Sequence, residues 1–187
     1  MATKTDRRPE RTRAALLSAF IDLILERGYE AVTVADVIDR ANIGRSTLYA
    51  HFGSLEGMLK VSMTRPSGPL AALISEPVVS GGLVGQLEHF REQRQRNKAF
   101  FVPPIRGVWV RTLAEMVEPR LAALPSFSGA VAPALPLGFI ALQVAEQQIA
   151  LVVNWLALRP MTSAAVMAEA LAAVTRATVE GFSPKPC

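Results

Sequence analysis

The sequence predicts an all-α protein: an N-terminal three-helix domain containing a helix-turn-helix, then a second, wholly helical domain. Three observations carry this. Half of the 187 residues are apolar but only 6% are aromatic, so the core must be aliphatic and alanine-rich, which favours helices. Apolar residues recur at spacings of three and four rather than two. No stretch reads as a strand, and Pro and Gly punctuate the chain between the periodic segments.

The first helix starts at Pro9 and stops before Gly28, residues suited to a first turn and to the position just past a helix end. Leu16, Phe20, Leu23 and Ile24 give its apolar stripe. Thr33 opens a second helix, with Asp36 three residues on as an approximate capping box. Val34, Val37, Ile38 and Ala41 form its inner face. Asn42-Ile43-Gly44 reads as a turn, because Asn and Gly tolerate left-handed backbone angles. A short third helix runs from Arg45 to Phe52. Ser54 then caps a fourth helix through Leu55, Met58 and Leu59, which Pro66, Gly68 and Pro69 are expected to terminate. The domains are therefore expected to span 1–65 and 66–187. In the second, helices are expected over 83–99, from Pro103-Pro104 to Pro119, and over 137–158 and 163–181, with 122–136 an irregular loop.

The net charge of +4 and pI of about 9.7 favour polyanionic partners, but weakly. The 20 basic and 16 acidic residues divide evenly at residue 65, ten and eight on either side, so charge does not single out a functional half. The single cysteine, Cys187, excludes an internal disulfide framework and a cysteine-based zinc site. No cofactor or metal is expected. The charged start MATKTDRRPERTR is followed by no apolar signal core, and a cytoplasmic location is expected. The most apolar stretch, 131–158, is broken by Pro133, Pro136 and Glu146-Gln147-Gln148. A membrane span needs about 20 predominantly apolar residues, so this stretch reads as a buried helix.

At 100° per residue, Leu48 and Phe52 form the inner stripe of the third helix. Ser46, Thr47 and Ala50 then face outward, Tyr49 and His51 fall on the flanks, and Arg45 stands at the N-terminal tip. A narrow, small, donor-rich edge suits insertion into a DNA major groove about 12 Å wide. Arg45 has the reach for guanine O6 and N7, and Thr47 for a base edge or a thymine methyl. Tyr49 and His51 are placed for flanking phosphates, as is Thr33 at a helix N-terminus. Plain packing also produces this geometry, and the spacing alone leaves both readings open. The tail residues Lys4, Arg7, Arg8, Arg11 and Arg13 would suit adjacent phosphates or the minor groove.

Residues 8 to 63 resemble the N-terminal domain of the TetR family of transcriptional regulators, through RTRAALLSAFIDLILERGYEAVTVADVIDRANIGRSTLYAHFGSLEGML. The most specific part is Thr47-Leu48-Tyr49-x-His51-Phe52 followed by Ser54-x-Glu56, downstream of the Gly28-Tyr29 helix end. The resemblance implies a homodimer on a palindromic operator, with repression relieved by a small ligand. It implies phosphate contacts at Thr33 and Tyr49 and a groove-facing set of Arg45, Ser46, Thr47 and His51. The sequence departs from the family at Leu55, where lysine is frequent; Lys60 lies further along. Ala50 stands where a larger side chain is common, which shifts base reading toward Arg45 and Thr47. Asn42 and Gly44 replace the more usual Gly and Ser of the turn.

The helices at 137–158 and 163–181 are apolar around most of their circumference, which predicts a four-helix dimer interface, an ordinary core being the other reading. Phe90, Trp109, Leu113, Met116, Phe139, Gln143, Gln147 and Trp155 are candidates to line a small-molecule pocket; packing would equally explain the aromatic and methionine members. The whole reads as a DNA-binding transcriptional regulator, a ligand-responsive repressor. The alternative is an architectural DNA-binding protein without an effector. A helical enzyme finds no support: only His89 remains beyond the helix-turn-helix, and no phosphate loop, HExxH or Gly-x-Ser-x-Gly motif occurs.

Overall fold

The computed structural model describes residues 8–76, 78–129 and 133–184. Lys4, Arg7 and Cys187 lie outside them. The chain forms two compact units, one ending at Ser62 and the other beginning at Met63.

The first unit comprises α1 (Arg8–Arg27), a 3-10 turn (Tyr29–Ala31), α2 (Val34–Ala41), α3 (Arg45–Phe52) and the opening turns of α4 (Leu55–Ala72). Gly28 adopts φ 81°, which ends α1 and turns Tyr29 edge-on to Phe20 at 6.2 Å between ring centroids. Thr33 caps α2 with both halves of the capping box in place. Asn42, at φ 52°, closes α2 in the left-handed region. The turn to α3 is thus set by one of the few non-glycine residue types that adopt this conformation at little cost. Ser54 accepts the Gly57 N–H at 3.0 Å and starts α4. Leu16, Phe20, Ile24, Val37, Leu48, Met58 and Leu59 are all fully buried in this unit.

The second unit contains the rest of α4 with α5 (Gly81–Glu92), α6 (Arg94–Asn97), a 3-10 turn (Lys98–Phe101), α7 (Ile105–Ala122), α8 (Pro125–Ser128), α9 (Leu137–Ala157) and α10 (Ala164–Phe182). Helix α7 is buried on nearly every side and packs along α9, while α10 packs on α5 and α9. Helix α9 is long and apolar enough to cross a membrane by length and composition. Here one face packs against α7 and α10, and Glu146 takes an ion pair from Arg106 at 2.5 Å.

Three expectations are corrected. Pro66, Gly68 and Pro69 do not end α4, which continues to Ala72. Each proline removes one helical N–H, a cost of about 3 kcal/mol in an ordinary helix interior. Yet the carbonyls that lose a partner lie on the less buried side, and the opposite side buries Met63, Ser67, Leu70 and Ala71. Packing outweighs propensity. The helix expected over 83–99 stops at Glu92, and Gln93 (φ −98°, ψ 18°) redirects the chain. Phe90 and Phe101 would be about 16 Å apart along one continuous helix; the break brings their rings to 6.0 Å, both against Trp109 at 5.8 and 5.3 Å. Within 122–136, Pro125 starts the short α8, which buries Phe127.

Truncating Leu48 to Ala should cost about 2–5 kcal/mol, as for other fully buried leucines. Urea unfolding followed by circular dichroism measures it; a loss below 1 kcal/mol would show that the first unit does not depend on this contact.

Candidate nucleic-acid interface

Helix α3 buries Leu48 and Phe52, and Arg45, Ser46 and Ala50 are exposed. Thr47 and His51, one turn apart on the same flank, are half-buried, and Tyr49 on the other flank is 44% exposed. The aromatic ring and the Arg45 guanidinium therefore stand free of the core beside a shallow strip of small side chains. Thr33 and Lys60 are also exposed.

Two acidic groups of α1 and α2 are engaged by local partners. Asp36 Oδ2 accepts the Thr33 N–H at 2.8 Å and the Thr33 hydroxyl at 2.5 Å, and pairs with Arg27 at 2.7 Å. Arg40 grips Glu26 with two parallel hydrogen bonds of 2.8 Å, tying α2 to α1. The Arg27 bond first, then those from Thr33, hold the Asp36 carboxyl well below the usual carboxylate range. Glu26 is lowered for the same kind of reason by Arg40. Two acids are thus neutralised by local partners, while Arg45 pairs with no acid among the described residues. Arg13 lies over the Phe52 ring, 5.7 Å from its centroid, so one more cation sits at the far end of α3.

The capping geometry refines the role of Thr33. Its hydroxyl proton goes to Asp36, so the side chain meets a phosphate as an acceptor unless it turns away. The N–H groups of the first turn of α2 are what that helix end has to offer an anion.

Gly57 was missed in the sequence. A Cβ there would lie 2.1 Å from the Phe52 carbonyl oxygen. Only glycine lets α4 approach the end of α3 so closely. The signal was available: a glycine inside a helix costs about 1 kcal/mol against alanine, so its presence asks for a packing reason.

In the second unit, Phe90, Trp109 and Leu113 are buried together, and Met116 is half-buried one turn on from Leu113. Phe139 (45% exposed) and Gln143 lie at the surface of α9. Trp155 is buried and donates Nε1–H to Thr162 at 3.1 Å, and Gln147 accepts from Thr178 at 2.6 Å. The fully buried amide is neither Gln143 nor Gln147 but Gln148, held between Leu70 O and Thr175. Most apolar residues expected at a dimer face, among them Ile140, Val144, Val152, Ala168 and Leu171, are core of this unit. The exposed apolar positions of α9 and α10 include Phe139, Leu142, Val166, Ala170, Ala173 and Ala177.

The profile of the bacterial regulatory proteins of the tetR family matches residues 16–61. The match covers 46 of the 187 residues, so this N-terminal segment is similar to the N-terminal domain of that family. A helix-turn-helix-type transcriptional regulator of Bacillus subtilis, YxbF, is 39% identical over 61 residues, 32% of this chain and 16% of that one. A second, YdeS, is 48% identical over 42 residues, 22% of this chain and 21% of that one. The matches thus span about a fifth or less of these relatives' length. A crystal structure of a TetR-family regulator from Syntrophomonas wolfei superposes with a TM-score of 0.53, covering 92% of this chain and 97% of that one at 18% identity. The TetR-type fold therefore extends beyond the matched segment.

Two outcomes are expected. Gly57→Ala should displace α3 and lower the unfolding midpoint, whereas Gly85→Ala, with open space around it, should not; thermal unfolding of both variants compares them. Because the Asp36 pKa is lowered on folding, its contribution is complete at neutral pH and begins to be lost below its unfolded value of about 3.9. Asp36→Asn should therefore lower stability at pH 7 and leave a shallower acid limb in a urea-against-pH series. An equally steep acid limb would show that the Arg27–Asp36 contact does not survive in solution.

Proposed function

We propose that this protein is a cytoplasmic DNA-binding transcriptional regulator, acting as a homodimer on a palindromic operator and releasing it when a small molecule binds the second unit. The observation that carries the reading is the outward edge of α3: exposed Arg45, Ser46 and Ala50 with Thr47 beside them, on a helix whose other side is locked in the core. Small central residues let a helix sit deep in the major groove, and an unpaired arginine at its N-terminal tip is a donor fork for guanine. Tyr49 and His51 flank that strip for phosphate contact, Thr33 marks the α2 N-terminus for another, and Lys60 supplies charge further along α4.

Two recognition helices must lie roughly 34–36 Å apart to read successive half-sites. The exposed positions Phe139 and Leu142 on α9, and Val166, Ala170, Ala173 and Ala177 on α10, supply a self-complementary face; the alanines permit close helix approach. The solved structure of the Syntrophomonas wolfei regulator supports the fold, and the pairing is our reading of this surface. A ligand relieves binding only by favouring one arrangement of the dimer over the other, a coupling of about 1–3 kcal/mol in allosteric systems.

Selection from a random duplex pool should return an inverted repeat. Arg45→Ala should cost about 1–3 kcal/mol on that operator and relax preference at one base pair of each half-site, while Tyr49→Phe should weaken all duplexes alike. Both are read by fluorescence anisotropy; unchanged base preference in Arg45→Ala would remove Arg45 from the reading role. Val166→Glu should yield a folded monomer in sedimentation with operator affinity lost. An architectural protein would instead return no consensus.

A further inference from the structure

A cleft of about 370 Å3 opens on the second unit, lined by Leu73, Ile74, Leu124 and Val179 with Arg176 and Glu180. It lies apart from the aromatic cluster of Phe90, Phe101 and Trp109. Its volume falls at the small end of the roughly 300–1,000 Å3 usual for ligand sites. The floor is aliphatic: Leu73, Ile74 and Val179 are each over nine-tenths buried. The two charged side chains stand one turn apart on α10, and they differ in what they can do for a ligand. Arg176 is exposed and makes no ion pair or hydrogen bond among the described residues. On α10 it lies on the flank beside the exposed Ala173–Ala177 strip, toward the cleft.

We propose that this cleft binds an amphipathic aliphatic carboxylic acid, its carboxylate held by the Arg176 guanidinium and its chain laid on Leu73, Ile74 and Val179. An unpaired guanidinium is the group suited to a carboxylate, which it grips through two parallel hydrogen bonds. Aliphatic walls without an aromatic ring favour a flexible alkyl body over a flat one. The Ser183 hydroxyl donates to Val179 O at 2.9 Å, so toward the cleft it has only lone pairs and discourages a second anionic group. Glu180 opposes the acid and limits its affinity. Leu73 and Ile74 follow directly on α4, whose backbone they continue through hydrogen bonds to Leu70 O and Ala71 O, so an occupant would bear on the end of that helix. Use of the cleft as an effector site rests on the regulator reading; the site itself does not.

Calorimetric titration of the full chain with decanoate, 1-decanol and decyltrimethylammonium tests this. Decanoate should bind at least about tenfold more tightly than decanol, the size of one charge-assisted hydrogen bond, and the ammonium should bind most weakly. Arg176→Gln, at an exposed position, should remove that preference for the acid without changing decanol binding, and Glu180→Gln should strengthen decanoate binding. Equal binding of acid and alcohol, or an unchanged acid affinity in Arg176→Gln, overturns the assignment. Operator titration in the same preparations separates the two readings. Operator binding that persists when decanoate fails to bind overturns the cleft alone, and decanoate binding in a protein that binds no operator overturns the regulator alone.

Discussion

Burial of Leu48 and Phe52 decides everything that α3 can present. A helix of eight residues has room for one apolar stripe, and once those two side chains are in the core the remaining positions are fixed in direction. Ser46 and Ala50 cannot then be inside and Tyr49 must stand at the edge, while Arg45 is outside because it stands at the helix tip, one turn before Leu48. The seat is tightened from the other side by Gly57, whose missing side chain makes space for the Phe52 carbonyl. Arg13 covers the exposed face of the Phe52 ring. The outer strip is thus rigid because its underside is over-determined, and a rigid strip can discriminate among base sequences.

Electrostatics follows from the same packing. With charge spread evenly along the chain, the first unit has no strong net attraction for a polyanion. What it has is arrangement. Glu26 and Asp36 spend their charge on Arg40 and Arg27, so these two acids create little field beyond their partners. Exposed pairs of this kind add little to stability. Their effect is on where free positive charge remains beside α3: Arg45 at its tip and Arg13 at its far end pair with no acid among the described residues.

Much of this was legible in sequence, and the exceptions have a common cause. Thr33, Asn42 and Ser54 are local signals, acting within three or four residues, and α2, α3 and α4 begin where those signals place them. Long-range packing is what local signals miss. The prolines of α4 obey the rule for a solvated helix, but α4 is held by a buried face and continues. The stretch after Phe90 has an unbroken helical pattern, yet a turn there lets two rings separated by eleven residues meet Trp109. Apolarity around α9 and α10 said that both would be buried, but not by what; Ile140 and Leu171 face their own unit and Phe139 and Val166 do not. At the interface, side-chain direction on α3 was readable from the 100° step; a glycine inside α4 signalled that Gly57 had a packing reason but not which, because that reason is a backbone atom of another helix.

The proline-bearing half of α4 also shows how a helix with missing donors is held in place. Three side chains from three different helices reach it: Gln86 of α5 donates to Pro66 O at 2.6 Å, Trp109 of α7 to the Ser67 hydroxyl at 3.1 Å, and Gln148 of α9 to Leu70 O at 3.1 Å. Ser67 in turn donates to Met63 O at 2.7 Å. Net hydrogen-bond energies of about 1 kcal/mol each would not compensate two interior prolines; the buried apolar face does that. What the polar contacts add is position. An apolar face alone tolerates sliding by a turn, whereas an amide or indole N–H buried away from water must meet its particular acceptor. Gln148 is the most committed of the three, fully buried, with Oε1 left without a partner among the described residues. Keeping an unsatisfied oxygen in the core is costly, and it is consistent with a chain in which the register of α4 matters more than the last increment of stability.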